Sequence, residues 1–396
     1  MTDPLAGVRV LDLANVLAGP YCCYQLALMG AEVIKVERPG LGDLARVLGA
    51  DPERNKQGMG ISFLAQNAGK KSVTLDMKSP QGKALLKRLV ESADVLVENF
   101  RPGVMARLGL DYDALKEVNP RLIYCAISGF GQDGPRKDDP AYDQIVQGMS
   151  GVMAITGGPE TAPYRVGYPL ADTIGGMTAA FSIAAALNAR PRGAFLDIAM
   201  TEAVISTMGW VVSNYLIGGV LPAAHGNENT TSAPSGTFIT ADKPINIAAN
   251  RDSQWEDLAR HLDREDLLTH ADYRTREDRK RKRNRHALRA ALEDTLRQRP
   301  AADWVRELNA LGVPAGMVLS VPEALDDPQM LGRGLIAQVP FGAETLALAG
   351  SPAMIGGKRP QPSGPPPALG ADNDEIWQSL GLSADEIAEL RKDGVI

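Results

Sequence analysis

The chain reads as an α/β protein with a mainly parallel sheet, and two features of its first 200 residues carry that expectation. Short apolar runs recur along it, separated by amphipathic helical stretches, which is the pattern of β-α repeats. The segments that follow the runs are rich in glycine and proline, as expected of strand tips in such a sheet.

In chain order, VRVLDL (8–13) reads as a strand, AGPYCCYQLALMG (18–30) as a helix ending at glycine, and AEVIKVE (31–37) as a second strand. SVTLDM (72–77), a helix near 82–92, DVLVEN (94–99) and LIYCAISGF (122–130) continue the alternation. Ligands of open parallel sheets settle beyond the carboxyl ends of the strands. The tips there are NVLAGP, ERPG, ENFRPG and SGFGQDGP, carrying Arg38, Asn99 and Arg101. Neither GxGxxG at the first turn nor GxxxxGK[ST] is present, so neither a usual dinucleotide site nor a P-loop is indicated.

From about residue 221 the texture changes. Residues 226–250 are polar, turn-rich and strand-like, and SQWEDLARHL opens a charged helical region. The basic run 276–292 contains Glu277 and Asp278 and reads as a solvated helix face. GVPAGMVLSVPEALDDPQML (312–331) reads as a strand and turn leading back, 358–370 as a proline-rich extended strap, and the end as a short amphipathic helix.

Composition narrows the class of function. The 396 residues are 44% hydrophobic and 23% charged with a formal net charge of -6, ordinary for a globular chain and opposed to a general nucleic-acid or anionic-membrane binder. No signal peptide is visible, and the apolar run 166–187 is interrupted by Pro169, Asp172 and a glycine pair, so no membrane span is expected. Three cysteines and four scattered histidines form no disulfide framework and no metal-ligand spacing, so no metal site is expected and a reducing cytoplasm fits.

The stretch YRVGYPLADTIGGMTAAFSIAAALNAR (164–190) holds a single acid, Asp172, at or just before the start of a helix. Such an aspartate is either an N-cap or a partly buried nucleophile or base, and nothing local separates the two.

Several blocks, in order, resemble the family III CoA-transferases, the formyl-CoA transferase or CaiB-BaiF group that includes the α-methylacyl-CoA racemases. They are LAGVRVLDLANVLAGP, GAEVIKVERPGLGD, NAGKKSVTLDMKSPQGK, DVLVENFRPGVMARLGLDYDAL, NPRLIYCAISGFGQDGP, PAYDQIVQGMSG, YPLADTIGG, GVPAGMVLSVPEALDDPQMLGRG and LGLSADEIAELRKDGVI, and they span almost the whole chain. The resemblance implies a large Rossmann-like domain over 1–200 with a return to it over 326–396, a linker over 201–224, a smaller α+β domain over 225–325, and an interlocked homodimer. It implies an acyl-CoA and a carboxylic acid as substrates, a CoA thioester as the only cofactor-like molecule, and no permanently bound group.

By the same resemblance Asp172 matches the family's catalytic aspartate, which attacks the acyl-CoA thioester to give an aspartyl anhydride and then an aspartyl-CoA thioester. Tyr142 and Asp143 match the pair beside it. The CoA contacts carry over to Val16, Leu17, Ala18, Arg38, Leu75, Lys78, Asn99, Phe100 and Arg107. Backbone N–H groups near Gly175 and Gly176, and those of the turn at Ala18, are expected as oxyanion donors. Two departures narrow the activity. The racemase branch has a histidine where this chain has Tyr142, a poor base near neutral pH, so an epimerase is the weaker alternative. The formyl-CoA:oxalate branch has a glutamine at the position of Leu17 and a glycine lid that residues 226–250 lack, which argues against oxalate. The expected substrates are succinyl-CoA or another dicarboxylyl-CoA.

Overall fold

The computed structural model describes residues 3–396. The chain divides into two compact units: one holds residues through Val152, Arg165–Val220 and Leu331–Ile396, the other Met153–Tyr164 and Leu221–Met330.

The first unit is built on six parallel strands: β1 (Arg9–Asp12), β2 (Glu32–Glu37), β3 (Lys71–Thr74), β4 (Val95–Glu98), β5 (Ile123–Ser128) and β6 (Ala194–Ala199), in the order β3-β2-β1-β4-β5-β6. Alternate residues serve opposite faces. Leu11, Ile34, Leu96 and Tyr124 pack on one side with Leu86, Leu89 and Trp377, while Val10, Val33, Val95, Val97 and Ile123 pack on the other with Cys22, Leu26 and Ile183. Burial of both faces explains why β4 and β5 are apolar almost throughout. Strand order reverses between β1 and β4, which opens a crevice at their carboxyl ends.

The outer edge is closed by the end of the chain. Asp372 Oδ2 accepts the Ser72 N–H at 2.7 Å and Asn373 Oδ1 the Thr74 N–H at 2.8 Å, so β3 presents no free ladder. The helix Ala384–Lys392, started by a capping box between Ser383 and Glu386, adds Ile387 to the core. The proline-rich strap is extended, and its Pro365 and Pro367 carbonyls accept from Gly69 N and the Arg46 guanidinium. A hairpin of β10 (Ile336–Phe341) and β11 (Glu344–Ala349) completes this unit.

The second unit has an antiparallel sheet, β7 (Ser235–Phe238), β8 (Ile245–Ala248) and β9 (Ala315–Met317), with a core around Trp255, Leu288, Leu292 and Trp304. The basic run forms two helices, Arg276–Lys280 and Lys282–Leu296. It is more than a solvated face, since Arg279 is buried, donates to the Ala233 and Tyr273 carbonyls and pairs with Asp252.

Two expectations about organisation differ from the structure. Residues 201–224 hold helices Met200–Thr207 and Gly209–Gly218 where a linker was expected, and Met153–Tyr164 groups with the second unit. Helix Gly209–Gly218 buries none of its residues, so it lacks the packing signal that marks an element within one chain.

Behind the crevice lies a buried charge cluster. Lys70 Nζ meets Asp12 Oδ2 at 2.8 Å and also donates to Asn67 Oδ1 and the Pro20 carbonyl. Lys35 Nζ meets Asp43 Oδ2 at 2.9 Å and Asp12 at 3.8 Å. Burial pushes the Asp12 carboxyl up, but Lys35 and Lys70 outweigh it and hold the group below its ordinary range. Removing one partner leaves the other charged and desolvated. Lys70→Met is therefore expected to cost about 3–5 kcal/mol of folding stability, read as a lowered urea midpoint at unchanged slope.

Candidate active site

The loop that leaves β1 enters the crevice in an unusual conformation. Val16 has φ 65°, a left-handed geometry that a β-branched residue adopts only when its surroundings force it, at about 1–3 kcal/mol. The surroundings are specific. Asp43 Oδ1 accepts the Val16 N–H and the Ala45 N–H, each at 2.9 Å, and Lys35 Nζ donates to the Ala14 carbonyl at 2.8 Å. Across the strand-order reversal, Asn99 Oδ1 accepts the Asn15 N–H and Asn99 Nδ2 donates to the Asn15 carbonyl, both at 2.8 Å. Gly19 has no room for a side chain, since a Cβ there would lie 2.1 Å from that of Ala14.

This loop leads into the helix Ala18–Leu28. The Ala18 and Gly19 amides have no acceptor among the described residues, while Tyr21 N–H already donates to the Leu17 carbonyl.

A cavity of about 340 Å³ lies on the loop, lined by Asn15, Val16, Leu17, Ala18, Asn99, Phe100, Tyr142 and Asp172, with Arg101, Lys137 and Met200. A second, of about 260 Å³, is lined by Arg38, Leu75, Lys78 and Phe100 with Asn15. Asn15 and Phe100 border both, so the two hollows adjoin. Arg38 and Lys78 are exposed and have no ion-pair partner among the described residues. Arg107 lies outside both linings, on the exposed side of the short helix whose Val104 and Leu108 face the second hollow. A larger concavity, about 660 Å³, lies on the sheet of the second unit; its single carboxylate, Glu228, is paired with Arg289 at 2.8 Å.

Asp172 is the third residue of the helix Leu170–Leu187, after the cap position occupied by Pro169. The N-cap alternative is thereby excluded: its carboxylate receives no hydrogen bond among the described residues, and the Ala171 N–H is taken at 2.8 Å by Asp143 Oδ1. Asp143 is itself buried and held by Gln147 Nε2 at 2.8 Å and Arg165 Nη2 at 3.0 Å. Burial, and then the Asp143 charge, push the Asp172 carboxyl from 3.8 up to about 7, against the pull of Arg165. An acid in an apolar setting with no donor to stabilise its anion is unusually nucleophilic once ionised.

The glycine pair works differently from the expectation. Gly175 and Gly176 are in the helix interior, where their amides belong to its own ladder, and so are not oxyanion donors. Their lack of side chains allows close approach: a Cβ on Gly176 would lie 2.4 Å from the Ala18 carbonyl, and one on Gly175 2.8 Å from Met200 Cγ. The helix carrying Asp172 thus rests against the strained loop. Of the expected oxyanion groups, the amides at Ala18 have the free geometry.

Sequence reading missed several residues that organise the site. Asp43 sits in the quoted GLGD block, yet nothing in a single acid at a turn signals that it clamps a loop 27 residues away. Arg165 and Gln147 hold Asp143, and Glu98 Oε2 accepts the Phe100 N–H at 2.7 Å. Burial pushes the Glu98 carboxyl up to about 7.

The raised Asp172 pKa gives a pH dependence with a defined sign. The reactive anion forms as pH rises through about 7, so activity per mole should climb between pH 6 and 8, and Arg165→Met should move that limb to higher pH. For stability the sign is opposite. A carboxyl raised in the fold is stabilising below its unfolded value and loses that contribution as pH rises from about 4 to 7. Thermal melts should show Asp172→Asn above the unchanged protein at pH 8, with the gap, up to about 4 kcal/mol, closing by pH 4.

Known proteins agree with this architecture. The chain is similar over 96% of its length to the whole of a CAIB/BAIF family protein from Brucella suis, with a TM-score of 0.85 and 34% identity. It is 40% identical over 358 residues to an acetyl-CoA:oxalate CoA-transferase of Acetobacter aceti, covering 89% of this chain and 90% of that one. It is 38% identical to a succinate–glutarate CoA-transferase of Agrobacterium fabrum, covering 84% of each. Residues 5–373 match the sequence model of CoA-transferase family III, and the chain belongs to that family of enzymes.

Proposed function

We propose that the protein moves CoA from a dicarboxylyl-CoA, with succinyl-CoA as the expected donor, to a second carboxylic acid, and that Asp172 carries the CoA between them. The observation that supports it most is a half-buried acid, unbonded and raised to about 7, facing a cavity that adjoins a hollow with two unpaired cations. Arg38 and Lys78 suit the phosphates of CoA, and Leu75 and Phe100 its adenine or pantetheine surfaces.

The sequence of bonds is as follows. An Asp172 oxygen attacks the donor thioester carbonyl, the C–S bond breaks, and an aspartyl anhydride forms with CoA thiolate as leaving group. The thiolate attacks the aspartyl carbonyl of the anhydride and releases the donor acid, leaving an aspartyl-CoA thioester. The acceptor carboxylate attacks this thioester, and the thiolate returns to the acceptor carbonyl, freeing Asp172. Each attack places charge on a carbonyl oxygen, for which the free Ala18 and Gly19 amides at a helix N-terminus are suitable donors.

Two relatives bear on the acids. One is named for succinate and glutarate, which favours dicarboxylates. The other is named for oxalate, and oxalate stands as the second reading for the acceptor. An epimerase is disfavoured by Tyr142, whose ring is exposed at the cavity rim.

We also infer a homodimer. Helix Gly209–Gly218 exposes Trp210, Tyr215, Leu216 and Ile217, an apolar surface of the kind that is normally covered. The buried, unpaired Cys22, Cys23 and Cys125 suit the reducing cytoplasm.

Purified protein mixed with succinyl-CoA and a panel of carboxylic acids, followed by mass spectrometry of the thioesters, tests the reading. New acyl-CoA species are expected, reduced by at least about 10³-fold in Asp172→Ala, with light scattering of the same sample giving a dimer. Deuterium uptake at the α carbon of a branched acyl-CoA without any exchange would favour the epimerase instead.

A further inference from the structure

The cavity around Asp172 holds more positive charge than the transfer steps use. Arg101 and Lys137 both line it, and neither has an ion-pair partner among the described residues. The nearby acid Asp139 does not compensate them, because Arg136 Nη1 already meets its Oδ2 at 3.1 Å. The two cations come from different strand tips. Arg101 follows Phe100 beyond β4; Lys137 stands beyond β5 on a segment that turns at Gly131 (φ 93°) and Gly134 (φ 79°), its N–H donating to the Gly134 carbonyl. Much of the wall between the tips is apolar, with Leu17, Ile127 and Met200.

We propose that Arg101 and Lys137 form a subsite for the remote carboxylate of a dicarboxylic acyl group while its other end reacts at Asp172. This rests on the transferase reading above. A second carboxylate brought beside ionised Asp172 loses hydration and gains a like-charged neighbour, a cost that unpaired cations in the same cavity offset. Arginine holds a carboxylate through two parallel N–H bonds, and a lysine on a four-carbon stem reaches it at more than one chain length. Both cations are exposed in the free protein, so they stay hydrated until substrate arrives. A monocarboxylic acyl group offers them nothing, and selection follows from that difference. The phosphates of CoA have the same chemistry as a rival occupant.

Succinyl-CoA and butyryl-CoA separate the two, because they differ only in ending with a carboxylate or a methyl group. Lys137→Met, Arg101→Met and Lys137→Glu are compared with the unchanged dimeric enzyme for kcat/KM with each donor and for the Kd of free CoA. The subsite predicts that each Met variant lowers the succinyl-to-butyryl ratio at least tenfold, that Lys137→Glu lowers it further, and that CoA affinity stays within about twofold, well under the roughly 1.4 kcal/mol of a tenfold change. An unchanged ratio overturns the proposal, as does an equal loss with both donors together with weakened CoA binding, which would assign the cations to phosphate. Binding of the two thioesters to the same variants in an Asp172→Asn background reads the ratio without turnover. A protein that binds succinyl-CoA selectively through Lys137 but transfers nothing would sink the transferase reading and leave the subsite standing; equal binding of both thioesters would sink the subsite alone.

Discussion

The bond from the Val16 N–H to Asp43 is the contact on which the rest of the site depends. It holds a β-branched residue in a left-handed turn, and that turn sets where the helix Ala18–Leu28 begins and where its free amides point. Asp43 is fixed from behind by Lys35, which also reaches Asp12, which in turn is held by Lys70. A buried cluster of this kind contributes little net stability compared with apolar packing of the same volume. Its value here is positional: the charges fix a loop that the backbone would otherwise relax. The strain is local and offset by the continuous cores on both faces of the sheet.

Asp172 is prepared by a complementary arrangement. Its neighbour Asp143 takes the Ala171 N–H, and the cap position is a proline with no N–H to offer, so Asp172 accepts no hydrogen bond among the described residues. The same neighbour adds repulsion, while Arg165, bound to Asp143, limits the rise. The carboxyl therefore sits near the working pH instead of far below it, where its anion would be too stable to react readily. Gly176 brings this helix against the Ala18 carbonyl, so the helix that carries Asp172 and the loop share one contact.

Much of the fold was legible because its signals are local. Continuous apolar runs such as 122–130 mark strands buried on both faces, and glycine and proline mark their tips. The strand order was not legible, since six parallel strands read alike in any order; the crevice between β1 and β4 is a consequence of topology alone. At the site, Asp172 stood out as the only acid in its stretch, but the reading of it as a nucleophile in place of a cap came from resemblance. The cap position itself falls on Pro169 and its bond on Asp143, neither of which residue type alone reveals. Glycine pairs signal turns and close helix contacts equally, which is why Gly175 and Gly176 read as amide donors when they serve packing. Asp43 and Arg165 act through residues distant in sequence, and no periodicity reports such a contact.

The central claim is that Asp172 becomes covalently bonded to CoA. Mixing the enzyme with succinyl-CoA in the absence of acceptor, quenching with borohydride and mapping the peptides tests it most directly. The account predicts CoA on the peptide containing Asp172 before reduction and homoserine at position 172 after it. An unmodified Asp172 in an enzyme that turns over, or an adduct on any other residue, would contradict it.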